Sequence, residues 1–446
     1  MSGPAATGRR KLFVDIGSSL LTRLLLLPLG VASSVIVTRA LEPEGKGIYT
    51  TALTIVTLGV ALCALGYGRA ATYFLARQAL PAAAVRTSAL RLSAVNGALL
   101  SVALAGAAVF AIPALLPDLP SSALLIAAPI AFVTLLRLCI EGFLRGEQRN
   151  TAVNALAIVA SASFLLAVVA TELLGGLSAN ASVAFKGASV VLAVAWGAKL
   201  LGRRRLGLGG AERSAARALG AFAIPYALVT MSQSLSYRLD IVLIQGFLGN
   251  ADVGYYSVTT TLAELLWYVP MAVGFVVFPR TAAQSGDSRG ASEVAALARW
   301  TFVFTCAAAG TLAVASGLVV EVLFGPAFEA AVEPTRLILV GIVATTWFQI
   351  LGGYLQGQGR LRAVSWAAVL GLVLNLGLNL VLIPEWGLAG AAVSSSISYT
   401  VSGVIVLSAF LRESRLPLRR VIAPTLTEVR QRAGALRERA VSNHRS

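Results

Sequence analysis

The chain has 446 residues, 57% hydrophobic and 13% charged, with a mean hydropathy of +0.80, more apolar surface than a water-soluble core can bury, so a bilayer is its natural solvent. The formal charge of +16 is spread over short connectors, not gathered on one polar domain with aromatics between the cations, which argues against a nucleic-acid partner. Cys63, Cys139 and Cys306 sit inside apolar runs and His444 is the only histidine, so neither a disulfide framework nor a zinc site is expected.

A membrane-spanning helix needs about 20 apolar residues. Runs of that length start near residues 14, 48, 90, 122, 151, 181, 219, 254, 300, 334, 362 and 388, which predicts about twelve spans in an all-α integral membrane protein. The first run is too long for the core of a signal peptide, lacks a small-residue cleavage site and is followed by further spans, so it is expected to be retained. Cations fall in alternate connectors: Arg9, Arg10 and Lys11; Arg77 and Arg86; Arg145 and Arg149; Arg203, Arg204 and Arg205; Arg280 and Arg289; Arg360 and Arg362. The other connectors, around Asp118, Glu172, Asp252, Glu329 with Glu333, and Glu385, carry almost none. The positive-inside rule then predicts cytoplasmic termini in a plasma-membrane protein. Arg39 and Lys46 interrupt this pattern in the first outer loop, where Glu42 and Glu44 balance their charge.

The expected organisation is an N-lobe over 1–202 holding spans 1–6, a Gly- and Arg-rich cytoplasmic linker over 203–218, a C-lobe over 219–411 holding spans 7–12, and a basic tail over 412–446. In the tail, TLTEVRQRAGALRER reads either as an amphipathic helix on the inner leaflet, where each cation gains about 1 kcal/mol near anionic lipid, or as a solvated segment.

Three pairs of segments show that the lobes are copies of each other. EGFLRGEQRNTAV from Glu141 matches GGYLQGQGRLRAV from Gly352 at an offset of 211 residues. LEPEGKG from Leu41 matches LGNADVG from Leu248 at an offset of 207 on the shared glycine, and GLSANA from Gly176 matches GLAGAA from Gly387, again at 211. Six spans separate equivalent points, so both copies cross the bilayer in the same sense. The expected symmetry is a pseudo-two-fold along the membrane normal, with a pathway between lobes near the midplane.

Polar side chains recur along one helical face in the spans beside that pathway. In the seventh span Tyr226, Thr230, Gln233, Tyr237 and Asp240 follow at steps of three and four. Their counterparts in the first span are Ser19, Arg23, Leu26, Gly30 and Ser33. The eighth span offers Tyr256, Thr260, Glu264 and Trp267, and the second Thr50, Thr54 and Thr57, with Arg69 toward its cytoplasmic end. A charge at the centre of a spanning helix costs about 2.5–3.5 kcal/mol on insertion scales, so it usually faces a wet cavity or a partner. Arg23, Arg69 and Arg238 are therefore candidate ligands for a phosphate or pyrophosphate group, Arg being suited by its bidentate fork; for Arg69 the alternative is snorkelling to the interface. Asp240 and Glu264 could hold a coupling Na+ or a proton, or could neutralise Arg238.

Other polar residues have structural readings. Arg137 and Glu141 are four apart and can pair, Lys186 is near enough to the outer surface to snorkel, and Asn375 with Asn379 suit interhelical hydrogen bonds. Gly142 with Gly146, and Gly353 with Gly357, have the spacing of close helix crossings. No P-loop is present, GKG at Gly45 being a false echo in an outer loop, and no extramembrane segment is large enough for a catalytic domain. An enzyme and a bound cofactor are therefore not expected.

The segments RALEPEGKGIYTTALTI and LGNADVGYYSV, with the turns GFLRGEQR and GYLQGQGR, resemble the polysaccharide biosynthesis (Wzx-type oligosaccharide flippase) family of the multidrug/oligosaccharidyl-lipid/polysaccharide exporter superfamily. The likeness runs from about Leu12 to Leu411 and is carried by architectural segments. It implies two six-helix lobes in a V, alternating access, and movement of an undecaprenyl-diphosphate-type lipid-linked oligosaccharide from inner to outer leaflet by a monomer among membrane lipids. The two extra C-terminal helices of lipid II flippases have no counterpart, which disfavours a peptidoglycan precursor as cargo. A drug or metabolite antiporter with Asp240 and Glu264 as ion ligands is the alternative within the superfamily. A membrane-embedded glycosyltransferase or polymerase using Glu42 and Glu44 is the remote one, disfavoured by the duplicated halves and short outer loops.

Overall fold

The computed structural model describes the backbone of residues 4–64, 66–202, 213–283 and 288–422, with side chains except at 4–24, 224–230, 232–233, 279, 282–283 and 288–289. Among the described residues every regular element is a helix. In chain order these are α1 (Pro4–Cys63), α2 (Tyr67–Arg77), α3 (Ala82–Phe110), α4 (Ile112–Leu115), α5 (Ser121–Gly146), α6 (Asn150–Gly175), α7 (Ala179–Leu201) and α8 (Arg213–Phe247). They continue as α9 (Asn250–Ala283), α10 (Ser288–Phe324), a 3-10 turn (Pro326–Ala331), α11 (Val332–Gly357), α12 (Leu361–Ser414) and α13 (Arg419–Ile422).

Two helices are too long to cross a bilayer once. α1 has 60 residues, about 90 Å at 1.5 Å per residue, against a hydrocarbon core of about 30 Å. It breaks at Glu42 (φ 54°, ψ 178°), beside Pro43, which has no N–H to give the ladder. α12, with 54 residues, breaks at Gly387 (φ 57°, ψ −134°), a conformation open to glycine, three residues after Pro384. Nine described helices are long and apolar enough to span a membrane; the breaks divide two of them, and α8, with 35 residues, is also longer than a single crossing needs. The resulting long segments coincide with the twelve apolar runs of the sequence. Their outward faces are apolar, with Phe110, Leu173, Leu174 and Val314 each more than 80% exposed, as suits a lipid environment.

The duplication is written into the backbone. Glu42 (φ 54°) and Gly249 (φ 103°), 207 residues apart, both leave the right-handed region. So do Gln148 (φ 55°) with Gly359 (φ 75°), and Gly176 (φ 100°) with Gly387 (φ 57°), each pair 211 apart. These are the offsets of the sequence repeat.

Clustering by contact gives two compact units: Met1–Val258 with Val320–Glu329, and Thr259–Val319 with Ala330–Ser446. In the first unit one apolar core joins Val56, Val60, Leu100, Leu104, Leu124, Leu135 and Val183. A second joins Tyr67, Leu75, Val85, Phe143, Leu144, Leu156, Leu201 and Leu219. The segments LEPEGKG and LGNADVG meet reciprocally in this unit: a Cβ on Gly47 would strike Asn250 O, and a Cβ on Gly254 would strike Pro43 O. Arg39 donates through Nε to Leu323 O at 2.8 Å and through a terminal nitrogen to Val322 O, capping the end of α10.

The second unit is built around Val277, Ala298, Ile350, Leu351, Leu355, Val406 and Phe410. Asn375 Nδ2 donates across α12's break to Ser395 Oγ at 3.3 Å, the interhelical bond the spacing predicts, whereas Asn379 Nδ2 bonds Asn375 Oδ1 at 3.0 Å along its own helix. Gly274 and Gly353 cross so closely that a Cβ on Gly274 would meet Gln349 O and one on Gly353 would meet Gly274 O. The first unit holds the matching crossing, in which a Cβ on Gly68 would meet Leu138 O and one on Gly142 would meet Gly68 O. With no aqueous drive between apolar helices, such close backbone approach is what membrane packing uses.

Linker residues 203–212 lie outside the described residues, and 213–218 already form the start of α8. Of the tail, α12 continues to Ser414 and α13 spans Arg419–Ile422; 423–446 lie outside.

Candidate functional site

The first unit holds a partly open cavity of about 300 Å³ whose polar lining is Thr57, Arg69, Thr72, Ser93, Glu141, Arg145 and Ser234. Five helices supply it: the second segment of α1, then α2, α3, α5 and α8. The glycine crossing sets its geometry. Gly68 and Gly142 bring α2 against α5, and Thr72 Oγ1 bonds both Gly68 O and Gly142 O at 3.0 Å. α2 buries Tyr67, Ala70, Ala71 and Leu75, an i, i+3, i+4, i+8 face, and leaves Arg69 and Thr72 to the cavity.

α5 contributes a charged ladder. Glu141, 8% exposed, accepts Arg137 Nε on Oε1 at 2.9 Å and an Arg145 terminal nitrogen on Oε2 at 3.1 Å. One carboxylate thus serves two guanidiniums, one turn above and one below. With Arg69 on α2, the described residues of this group are three guanidiniums and one carboxylate. Beyond Arg145 the connector is fixed by Arg86 to Glu147 at 2.6 Å and by Arg149 to Leu200 O at 2.9 Å, which hold the end of α5 to α3 and α7. A cationic, hydroxyl-bearing cavity inside an apolar bundle can hold an anion and shed part of its water shell, since Arg forks and hydroxyls replace the lost hydrogen bonds.

The expected site residues are distributed as follows. Arg69 lines the cavity, but it stands on the separate helix α2 and not on the second span, which ends at Cys63. The chain turns at Gly66 (φ 69°) between them. The side chains of Arg23, Tyr226, Thr230 and Gln233 lie outside the described residues. Tyr237 and Arg238 are half-buried on α8. Asp240, 2% exposed, accepts the Ile241 N–H at 2.8 Å and a hydrogen bond from the fully buried Tyr256, and Arg238 acts on it electrostatically. Glu264 and Thr260 are half-buried and belong to the second unit.

Sequence reading missed Arg145, which it placed in a connector, and Ser93. The i, i+4, i+8 spacing of Arg137, Glu141 and Arg145 was the available signal. It also misjudged one lysine. Lys46 is not a loop charge balanced by neighbouring acids: it is 6% exposed with its Nζ 5.3 Å over the Tyr49 ring, while Glu42 and Glu44 are exposed and form no ion pair with it. Lys186, half-buried near the start of α7, has its Nζ 4.8 Å over the Phe164 ring.

Residues 12–285 match the model of a family described as polysaccharide biosynthesis protein. The chain belongs to that family. Residues 225–381 also match the model described as MatE. A curated relative of this polysaccharide biosynthesis protein, the probable low-salt glycan biosynthesis flippase Agl15 of Haloferax volcanii, is 26% identical over 235 residues, 52% of this chain and 49% of that one. An uncharacterised membrane protein of Methanocaldococcus jannaschii, MJ1068, is 26% identical over 167 residues, 36% of this chain and 33% of that one. The matches thus span a third to a half of the length of these relatives. Among solved structures, the lipid II flippase MurJ in an inward closed conformation aligns with a TM-score of 0.74 at 12% identity, covering 90% of each chain. An inward-facing multidrug resistance MATE family transporter aligns with a TM-score of 0.73 at 16% identity, covering 87% of this chain and 94% of that one. The family member therefore has the multi-pass helical fold of these transporters.

Proposed function

We propose that the protein is a flippase that moves an undecaprenyl-diphosphate-type lipid-linked oligosaccharide from the inner to the outer leaflet by alternating access, making and breaking no covalent bond. The observation that carries this reading is the cavity holding Arg69, Arg145 and Glu141 among threonine and serine hydroxyls. Family membership and the description of the Haloferax volcanii relative as a probable glycan biosynthesis flippase support it.

The chemistry fits in size and charge. Ligand pockets run from about 300 to 1,000 Å³, so a cavity of about 300 Å³ accepts a diphosphate and at most the first sugar, not a whole glycan. Its task is to grip the charged linkage while the lipid tail stays in hydrocarbon. Arg69 and Arg145 bind the diphosphate, and the incoming anion competes with Glu141 for Arg145. Arg23 and Arg238 extend the cationic path, while Tyr226, Thr230, Gln233 and Tyr237 offer hydrogen bonds to sugar hydroxyls that would otherwise lose water without replacement. In this reading two lobes, 1–202 and 219–411, joined by the linker 203–218, alternate around the cargo in a monomer of the plasma membrane with both termini cytoplasmic.

The test is a flipping assay in proteoliposomes with a fluorescent undecaprenyl-diphosphate glycan. Arg69→Gln with Arg145→Gln should slow translocation at least tenfold while insertion and thermal stability persist. Unchanged flipping would overturn the reading. The match to the MatE model over 225–381 favours a second reading, a cation-coupled drug or metabolite antiporter with Asp240 and Glu264 as ion ligands. A deletion strain that loses drug resistance without accumulating sugar-lipid would select it.

A further inference from the structure

The second unit carries a cation on its lipid-facing surface that the proposed function does not use. Val314 and Leu318 stand one turn apart on α10, 86% and 67% exposed, and Val340 on α11 is 68% exposed, so these faces look out to lipid. Arg336 shares that face of α11, one turn before Val340, and is itself exposed. Its Nε donates to Ala313 O at 3.1 Å and to Ser316 Oγ at 2.9 Å, which lays the guanidinium against α10 beside Val314 and Leu318. Ser316 is about 12 Å by helical rise from the Phe324 end of α10, less than half the hydrocarbon thickness of about 30 Å. The group thus lies at the lipid face, within reach of the headgroups of the nearer leaflet.

Clamping two helices does not account for this guanidinium. It has five N–H donors, and the clamp uses only the one on Nε. Among the described residues nothing accepts from its two terminal nitrogens, and no carboxylate pairs with it. A guanidinium keeps its proton in a protein, so at a lipid face its remaining N–H groups need a phosphate or water. Glu333 stands three residues earlier on the same exposed face, about 4.5 Å nearer the start of α11 by helical rise, and forms no ion pair among the described residues. From the lipid interior outward the order is therefore cation, then anion. A headgroup with its phosphate inside and an ammonium outside has the complementary order.

We propose that Arg336 and Glu333 form a binding site for the headgroup of a phosphatidylethanolamine-class phospholipid, held as a resident of the α10–α11 surface. The terminal nitrogens of Arg336 donate to two phosphate oxygens, and the Glu333 carboxylate accepts from the primary ammonium, which the two-carbon ethanolamine arm carries toward water. The acyl chains lie along Val314, Leu318 and Val340. Charge decides between headgroups. A glycerol headgroup offers Glu333 no cation and leaves the lipid net negative, a choline ammonium has no N–H to give, and a diphosphate adds charge that Glu333 repels. The lipid is bound and not moved, so the site stands or falls apart from the flippase reading.

The test is lipid binding by the full-length protein, delipidated in detergent and read by native mass spectrometry. Phosphatidylethanolamine, phosphatidylcholine and phosphatidylglycerol with identical acyl chains are titrated separately. Lipid that coats the rest of the surface is common to every variant and subtracts. The expected result is one saturable site for phosphatidylethanolamine, on the order of fivefold tighter than for either other lipid. Arg336→Gln should abolish that site, whereas Arg336→Lys should keep part of it through a single ammonium. Glu333→Gln should retain phosphate binding but bring the three lipids within about twofold of one another. If Arg336→Gln does not fold without its bonds to Ala313 O and Ser316 Oγ, Glu333→Gln decides alone. Equal binding of the three lipids by the unaltered protein, or a phosphatidylethanolamine preference that survives Arg336→Gln or Glu333→Gln, overturns the proposal. A preference for phosphatidylglycerol overturns it as well, leaving a plain contact with anionic lipid.

Discussion

Thr51 Oγ1 donates to Gln245 Oε1 at 2.8 Å, a buried bond that fastens the second segment of α1 to α8 inside the first unit. Gln245 is 2% exposed and its Nε2 has no hydrogen-bond partner, so this one bond is all its side-chain amide makes. Thr51→Val would leave both ends of the amide unsatisfied, at a cost of about 1–3 kcal/mol. Adding Gln245→Leu should recover most of that loss, since an apolar pair needs no bond. Equilibrium unfolding of the two single variants and the double variant measures the coupling.

The Arg137–Glu141–Arg145 ladder gives a second expectation. Glu141→Gln removes the one carboxylate that serves two guanidiniums, and Arg145, with its side chain 38% exposed, is partly rescued by solvent. A loss of about 1–3 kcal/mol is expected, below the figure for fully buried pairs. Arg360→Ala, which breaks the exposed pair to Glu413 at 3.0 Å, should cost less than about 1 kcal/mol. Under the flippase reading Glu141→Gln also tightens pyrophosphate binding, because its internal competitor is gone; isothermal titration reads this directly.

Glycine positions separate sharply by surroundings. A Cβ on Gly142 would collide with the Gly68 backbone, whereas Gly106 and Gly310 have nothing within 4 Å. Gly142→Ala should therefore lower Tm by several degrees or prevent folding, while Gly106→Ala and Gly310→Ala should be neutral or slightly stabilising through helix propensity. Fluorescence size-exclusion profiles after heating distinguish these outcomes in small cultures.

Gln148 holds φ 55° in the turn between α5 and α6, where its equivalent Gly359 holds φ 75°. A left-handed conformation costs an L-residue roughly 1–2 kcal/mol, so Gln148→Gly should stabilise by about 0.5–1 kcal/mol after the added chain entropy of glycine is subtracted. The reverse change, Gly359→Gln, should destabilise by a similar amount. Thermal melts of the pair check the sign.

Most of the helical scaffold is legible in the order of residues, because a bilayer demands long apolar runs and leaves few alternatives. The offsets of 207 and 211 read from LEPEGKG and EGFLRGEQR return as matched backbone breaks at Glu42 with Gly249, and at Gln148 with Gly359. The candidate site was legible only in part. The turn at Gly66 escapes notice because Ala64 to Gly68 is as apolar as a spanning helix, and it reassigns Arg69 to α2. Lys46 looks like a loop charge because spacing along the chain cannot show a side chain folding inward over Tyr49. Arg145 looks like a cytoplasmic anchor because the positive-inside rule counts cations without asking which of them end in a cavity.

The twin crossings at Gly68 with Gly142 and Gly274 with Gly353 make this molecule its own reference sample. A lesion at one crossing can be repeated at its sibling, in the same polypeptide, the same lipid and the same tube. Any gap between the two results then measures what divergence after gene doubling has done to one copy and spared in the other.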